Sequence, residues 1–265
     1  MSDKEYKGGM HNGLSTLIKA IETLTHKKVT LPSDEEKLDV ATIRRREAHL
    51  ASIEIAKQRQ QRHQNFIDTL HKQGHISAQF TFDKIKEDDF NRKAIEIAKS
   101  FCSTLNLPKE FVTTAPLFLI QGGPGSGKTV LCNCVANEFL VKHFKEVEMC
   151  TFSQIKRNRT PGQTDNSFDV QEKAANWEKY ISVDLLIIDG FCQNNENLTQ
   201  FDRQVFAELL RIRNERNLPI VISTTLAASS IAQKLGDDCF ESIKEYNVFT
   251  ASLLGYSRRQ PIIFS

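Results

Sequence analysis

The strongest candidate for chemistry in this sequence is the loop Gly122-Gly123-Pro124-Gly125-Ser126-Gly127-Lys128-Thr129. Its glycines allow successive backbone N–H groups to curve around a phosphate, and the helix that follows adds the partial positive charge of its N-terminus. The Lys128 ammonium can bridge the β- and γ-phosphates, and the Thr129 hydroxyl can ligate Mg²⁺. This spacing is that of a P-loop between a strand and a helix. The sequence therefore predicts a site for ATP and Mg²⁺ formed by these eight residues.

A second candidate motif, which ends in an acidic residue, follows the P-loop in the sequence. The segment Asp184-Leu185-Leu186-Ile187-Ile188-Asp189 is an apolar run that ends in a carboxylate, as expected of a buried strand that delivers Asp189 to Mg²⁺. The next residue is Gly190, where many ATPases with this motif have a glutamate that polarises the attacking water. Glu196, in the following loop, is the alternative base, but nothing in the sequence brings it back to the site. The pattern predicts a metal ligand without its usual general base.

Two further segments are candidates for contact with the triphosphate. The apolar run 220–225 ends in Ser-Thr-Thr, so Thr224 or Thr225 can orient the attacking water, and we take Thr224 as the candidate catalytic residue beside Asp189. Near the C-terminus, Tyr256-Ser257-Arg258-Arg259 offers arginines that can report the nucleotide state through a charge-assisted contact, with Arg258 as the predicted ligand. A solvated basic pair is the alternative interpretation of that segment.

The elements that must position these residues alternate along the chain. Apolar runs typical of buried strands are separated by amphipathic helical patterns, and such alternation predicts an α/β fold with a parallel sheet flanked by helices. The predicted strands are 116–120, 147–152, 183–189 and 219–225, with closing elements at 248–254 and 261–264. The predicted helices are 83–105, 128–143, 199–217 and 228–235.

The N-terminal part has a different pattern. Apolar residues between 14 and 24 recur at helical spacing, and Ser33 with Glu36 forms a capping box that opens a helix over 34–73, ended by Gly74. A helix of this length cannot bury a face within a small domain, so we expect its apolar residues to bind a partner. An intramolecular hairpin with residues 14–24 is the alternative. The predicted domains are 1–75 (N-terminal helices), 76–110 (linker and helix) and 111–265 (nucleotide-binding domain).

Composition limits the class of protein. The 265 residues are 40% hydrophobic and 26% charged with a net charge of +2, so nucleic-acid affinity would need a local basic patch. Six cysteines without C-x-x-C spacing are expected to be reduced thiols in the core. The apolar runs are too short to cross a bilayer and the N-terminus lacks a signal peptide, so we expect a cytoplasmic protein.

From about residue 82 to its end, the sequence resembles the bacterial DnaC-type helicase loaders of the AAA+ class, with the IstB transposition helpers as near relatives. Besides the two phosphate-site motifs, the resemblance rests on segments in shared order and separation: 183–189, Leu209-Leu210-Arg211-Ile212-Arg213, Lys234-Leu235-Gly236-Asp237 and Tyr256-Ser257-Arg258-Arg259. It implies an AAA+ parallel sheet with an N-terminal helical region that grips a DnaB-type replicative helicase. It also implies an AAA+ domain that binds ATP and single-stranded DNA, with possible self-assembly on the helicase.

Candidate residues for single-stranded DNA lie after the second strand and after Asp189. Lys156, Arg157 and Arg159 can meet phosphates, and Phe201, with Arg203 near it, can stack on a base. A core-facing position is the alternative for Phe201.

The departures from the loader pattern concern hydrolysis. Besides Gly190, the segment Asp237–Ile243 lacks the arginine that such loaders place after the Leu-Gly pair to reach a neighbour's nucleotide. Loss of an arginine finger costs on the order of 10³ to 10⁵ in rate, so we expect an ATP-dependent binding switch with weak ATPase activity. An IstB-like transposition helper is the alternative function. A small-molecule P-loop kinase is a further one, although its arginine-rich lid and acidic base are not evident.

Overall fold

The computed structural model describes residues 16–24, 26, 28, 40–105, 114–160, 162, 166–192, 197–255 and 257–258. The chain divides into two compact units, residues 1–61 and residues 62–265. Several sequence predictions fall outside the described residues: the Ser33–Glu36 capping box, Glu196, Tyr256, Arg259 and the closing element 261–264. None of the described helices combines the length and the apolar character that crossing a bilayer requires.

The described elements alternate as predicted from β1 onward. Helix α1 spans residues 16–24. The other helices are α2 (Val40–Lys72), α3 (Arg92–Thr104), α4 (Lys128–Lys142), α5 (Phe152–Arg159), α6 (Ser167–Ser182), α7 (Gln200–Glu215), α8 (Ala228–Leu235) and α9 (Asp237–Lys244). The strands are β1 (Pro116–Gly122), β2 (Val147–Cys150), β3 (Leu185–Phe191), β4 (Ile220–Thr224) and β5 (Asn247–Leu253).

The five strands form one parallel sheet in the order β2-β3-β4-β1-β5. Helices α3 and α4 and the last turns of α2 cover one face, and α5 to α9 cover the other. The predicted parallel sheet flanked by helices is therefore confirmed. In such a sheet, ligands bind outside the carboxyl ends of the strands, which is where β1 leads into the P-loop.

The boundary between the two units falls inside α2, after Gln61. The last turns of α2 belong to the second unit because Ile67 and Leu70 are buried in its core. His63 Nε2 lies 2.7 Å from the Leu140 carbonyl oxygen, and His71 Nε2 lies 2.9 Å from Asn137 Oδ1. The boundary between the two units therefore lies earlier in the chain than the predicted boundary after residue 75. The reason is that the end of this helix supplies core residues to the nucleotide-binding domain.

The first unit leaves its apolar side chains exposed. In α1, Leu17 and Leu24 are exposed, and the α2 segment 40–61 exposes Leu50 and Ile53 by more than half of their surface. The predicted alternative, a hairpin in which residues 14–24 bury the apolar side of the long helix, is not formed by the described residues of this unit.

Helices α5 and α6 were not predicted from apolar periodicity, yet both carry a clear start signal. Thr151 accepts the backbone N–H of Gln154, whose side chain accepts the Thr151 N–H, and Asn166 with Asp169 repeats this capping box at the start of α6. Helix α3 begins at Arg92 and not near residue 83, because Asp88 Oδ1 accepts the N–H groups of Phe90 and Asn91 and so starts the turn that leads into the helix.

All six cysteines are free and buried, as predicted for core thiols. Burial raises the pKa of the Cys134 thiol to about 12, so the thiolate is scarce at neutral pH.

Arg213, in the loader-like segment of α7, is fully buried. Its Nη1 donates to the Tyr180 carbonyl at 2.8 Å and its Nη2 to the Pro219 carbonyl at 2.7 Å, which joins the end of α6 to the start of β4. Desolvation lowers the pKa of Arg213 to about 9, so the side chain stays protonated at neutral pH. It is a structural cation of the core rather than a ligand-binding residue.

We expect Arg213→Leu to lower the free energy of unfolding by about 2–5 kcal/mol, because two buried carbonyl groups each lose a charged donor. Urea denaturation of the variant and the wild type measures this difference. Arg211→Leu, on the exposed side of the same helix, is the matched control and should change stability by less than about 0.5 kcal/mol. Equal effects of the two substitutions would contradict the role of Arg213.

Candidate nucleotide-binding site

The P-loop joins the carboxyl end of β1 to the first turn of α4, as predicted. Gly125 and Gly127 have positive φ values of 75° and 102°, which L side chains rarely adopt. A Cβ at Gly122 would come within 2.5 Å of Ser126 Oγ and 2.8 Å of the Leu253 carbonyl oxygen. The loop geometry therefore requires these three glycines.

Lys128 is buried with its ammonium inside the curve of the loop. Its Nζ donates to the carbonyl oxygens of Gly122 and Gly123, at 2.8 Å each. The positive charge thus lies within the same concave surface that presents the backbone N–H groups. This arrangement is suited to a phosphate group, since both the ammonium and the amides can donate to its oxygens.

Thr129 and Asp189 meet at the carboxyl edge of the sheet. The Thr129 hydroxyl donates to Asp189 Oδ2 at 2.8 Å, although the residues are 60 positions apart in sequence. A hydroxyl and a carboxylate are hard oxygen ligands, and Mg²⁺ commonly takes one or two of these from the protein and the rest from phosphates and water. The described residues contain no cluster of three or more His, Cys, Asp or Glu suited to a metal. The donor set fits Mg²⁺ held by Thr129 and Asp189 beside a triphosphate.

Ser223, which the sequence analysis did not select, contacts Asp189. Its hydroxyl donates to Asp189 Oδ1 at 2.5 Å and accepts the Gly190 N–H at 2.9 Å. Thr224 is buried, and its hydroxyl accepts the Leu226 N–H at 3.1 Å. Side chains alternate along a strand, so residue 223 shares the face of Val221 toward α4, and residue 224 points to the opposite face. Ser223, and not Thr224, therefore contacts Asp189, which alternation against the apolar pattern of β4 could have indicated. The orientation of water by Thr224 stays a prediction.

Gly190 has a positive φ of 80°. The pairing of β3 with β4 is irregular between Ile188 and Phe191, so the backbone turns out of regular strand geometry at this point. A glutamate would be strained in this conformation. The backbone conformation at residue 190 thus favours the glycine that stands in place of the glutamate.

A cavity of about 220 Å³ adjoins the P-loop. Its walls include the apolar side chains of Phe80, Ile85, Ile95 and Leu131, and Ser126 and Gly127 form its boundary with the loop. An apolar cavity next to a phosphate loop has the character expected for the nucleoside part of a nucleotide.

Arg258 lies beside the P-loop, where the phosphates of the nucleotide are predicted to bind. Its backbone N–H donates to the Gly125 carbonyl at 3.0 Å, and its side chain lines the cavity. The guanidinium forms an ion pair with Asp88, with Nη2 at 2.8 Å from Oδ2. The hydrogen bond from Arg258 is the main cause that lowers the pKa of the Asp88 carboxyl. Asp88 could not be identified from the sequence, because no local motif links residues 170 positions apart.

The predicted DNA-binding residues divide into two groups. Lys156 Nζ lies 2.8 Å from Oδ1 of the buried Asp202, and Arg159 Nη2 lies 2.7 Å from both carboxylate oxygens of Glu208. The Arg159 guanidinium also lies 4.5 Å from the centre of the Trp177 ring. Arg157 is exposed on α5, and Phe201 is 40% exposed on the first turn of α7 rather than facing the core.

The model of the family described as "ATPase family associated with various cellular activities (AAA)" matches residues 118–247. Together with the sheet and the P-loop, this match defines an AAA+ ATP-binding domain. No curated protein matches the sequence.

Solved structures with this fold include proteins of DNA replication. The chain is similar to DnaI, with a TM-score of 0.52 and 22% identity over 68% of this chain and 90% of that protein. The DnaC helicase loader gives a TM-score of 0.52 and 16% identity over 65% of this chain and 97% of that protein. AMPPCP-bound DnaA from Aquifex aeolicus gives 0.51 and 16%, over 67% and 51%. The predicted resemblance to DnaC-type AAA+ proteins is confirmed at the level of the fold.

Proposed function

We propose that this protein is an ATP-binding helicase loader that supports the initiation of DNA replication. Its N-terminal helices engage a DnaB-type replicative helicase, and its AAA+ domain binds single-stranded DNA. The observation that carries this proposal is a complete P-loop, with Lys128, Thr129 and Asp189 brought together, on the fold that the chain shares with the DnaC helicase loader.

Different residues of the site are proposed to contact different parts of the nucleotide. The ammonium of Lys128 and the loop amides would neutralise the β- and γ-phosphates, Thr129 and Asp189 would hold Mg²⁺, and Ser223 orients the Asp189 carboxylate. When bound, the ion would supply further positive charge to the triphosphate. The cavity beside Ser126 and Gly127 receives the base and the ribose, and Arg258 approaches the phosphates from the C-terminal segment.

Among its described residues, the same site lacks groups for rapid hydrolysis. Gly190 stands where a glutamate would activate water, and α9, which covers the segment after the Leu-Gly pair, contains no arginine. We infer that ATP acts through binding, as a signal that favours one assembly with the helicase and DNA over another.

The exposed apolar residues of the N-terminal unit support the proposal that it binds a protein partner. The α2 segment 40–61 exposes Ile43, Leu50 and Ile53 along one side of a helix that also carries basic residues at 44–46, 57 and 59. A solvent-exposed apolar seam on a helix is the feature that helix-binding grooves recognise.

Single-stranded DNA is proposed to contact Arg157 and Phe201, because both are exposed and provide a cation and a stacking surface. Lys156 and Arg159 join this surface only by exchanging their ion pairs with Asp202 and Glu208 for phosphates. Exposed ion pairs are weak, so the exchange is easier for Arg159 than for Lys156, whose partner is buried.

We expect the full chain to co-elute with a DnaB-type helicase in size-exclusion chromatography, and a chain lacking residues 1–61 to elute separately while it still binds Mg-ATP. The deletion ends at 61 because residues 62–75 include core residues of the second unit. Leu50→Glu should weaken association at least tenfold by placing a charge in the apolar seam, whereas Ser52→Glu, also exposed on α2, is its control.

Co-elution of the chain that lacks residues 1–61 would contradict the partner role of α2. Binding to double-stranded DNA and a transposase in place of the helicase would favour the IstB-like alternative.

A further inference from the structure

The residues that follow β5 cross the P-loop and contact the segment before α3. The Leu254 N–H donates to the Phe90 carbonyl at 3.4 Å, and the Arg258 N–H donates to the Gly125 carbonyl at 3.0 Å. A Cβ at Gly125 would lie 2.2 Å from Ser257 Oγ, so the C-terminal segment lies directly against the loop. The described residues of this segment, 254–255 and 257–258, which we call the C-terminal strap, are thus attached to the nucleotide site at defined points.

The Arg258 side chain lies between the P-loop and Asp88. Its Cδ is 3.7 Å from the position of a Cβ at Gly127, the N-cap residue that precedes α4. Its Nη2 is 2.9 Å from Asp88 Oδ1 and 2.8 Å from Oδ2. The Asp88 carboxylate is itself oriented by the N–H groups of Phe90 and Asn91. The guanidinium therefore has a fixed partner on one side and the phosphate-binding loop on the other.

A carboxylate and a phosphate are alternative partners for the same guanidinium. Both accept paired N–H···O bonds from arginine, but a triphosphate carries more charge than one carboxylate. Asp88 and Arg258 are both more than a third exposed, so solvent weakens their pair. An anion bound at Gly127 can therefore displace Asp88 from Arg258 by a modest gain in electrostatic energy.

We propose that Asp88 is a positioning residue that competes with the nucleotide for Arg258, and that ATP binding releases the C-terminal strap from its attachment to Asp88. This inference rests on the proposed binding of ATP at the P-loop. The nucleotide site would then signal its own occupancy, because a nucleotide at the P-loop breaks the contact of the C-terminal strap with Asp88, which precedes α3.

Titration of the full-length protein with Mg-ATP tests the competition. Asp88→Asn keeps an oxygen for the Phe90 and Asn91 N–H groups but loses the charge, and should tighten Mg-ATP binding about two- to fivefold, as expected for the loss of an exposed ion pair. Asp89→Asn, whose carboxylate forms an exposed pair with Arg92, is the control and should leave the affinity unchanged. In an Arg258→Ala background, Asp88→Asn should have no further effect. A gain that persists in that background would mean general repulsion of phosphate and would overturn the proposal.

Hydrogen exchange of the peptide that contains Arg258 gives a second measurement, made first without added nucleotide and then with Mg-ATP. The Arg258 amide reports the strap directly, and its exchange should be about two- to fivefold faster in Asp88→Asn than in the wild type or Asp89→Asn. Mg-ATP should accelerate it in the wild type. Normal Mg-ATP binding with unchanged exchange would refute the competition alone, whereas a wild-type chain that does not bind Mg-ATP would refute the proposed function and the competition with it.

Discussion

Lys128→Ala should weaken Mg-ATP binding by a factor of about 10² to 10³. The ammonium lies inside the loop, and each charge-assisted hydrogen bond that it makes to a phosphate contributes about 1.5–3 kcal/mol. The backbone amides remain in the variant, but their dipoles do not replace a full positive charge next to the β- and γ-phosphates. Isothermal titration with Mg-ATP measures the loss directly.

The matched control for Lys128→Ala is Lys145→Ala. Lys145 is an exposed cation of the same domain, paired with Asp184 at 3.4 Å, and its removal should leave the affinity within about twofold. Thermal unfolding without nucleotide should show that both variants are folded, and Mg-ATP should raise the midpoint of the control but not of Lys128→Ala. Full affinity in Lys128→Ala would mean that this P-loop does not bind the triphosphate.

Single-turnover hydrolysis of ATP by the purified protein should be on the order of 10⁻³ s⁻¹ or slower. Kinases and related P-loop enzymes turn over at about 1–100 s⁻¹, and the absence of a trans-acting arginine costs on the order of 10³ or more where such a residue operates. The site retains Lys128 and Asp189, so ATP should bind and persist. The assay is to be repeated with single-stranded DNA and the helicase, because a partner can supply the missing group. A rate of about 1 s⁻¹ for the protein alone would show that the catalytic residues lie elsewhere.

Gly190→Glu should raise this rate by less than about tenfold. The added carboxylate can polarise water, but it serves the same transition state as the absent arginine, and a positive φ of 80° costs a side chain about 1 kcal/mol. Gly190→Ala is the matched variant because it introduces the same backbone strain without the acid. A difference between the two variants isolates the contribution of the carboxylate, and a gain of several hundredfold in Gly190→Glu alone would contradict the inferred need for the arginine.

The nucleotide site could be predicted from the sequence because its main residues are contiguous. Residues 122–129 carry the glycines, the ammonium and the hydroxyl within one strand–loop–helix unit. Asp189 follows the apolar residues of β3, a pattern that predicts a buried strand of a parallel sheet. Local backbone geometry and apolar periodicity are enough for these predictions, since they involve few long-range choices. The alternation of strands and helices likewise determined the parallel sheet.

What the tertiary structure decided depends on contacts between distant segments. The orientation of β4, together with an irregular pairing after Ile188, places Ser223 rather than Thr224 against Asp189. The strap brings Arg258 to Asp88, and the packing of α5 on α7 occupies Lys156 and Arg159 with acidic partners. The division between the two units lies within a single helix, where the helical pattern continues without interruption while burial begins. Sequence periodicity predicts the helical conformation of such a segment, but only the packing of the folded chain determines which of its side chains are buried.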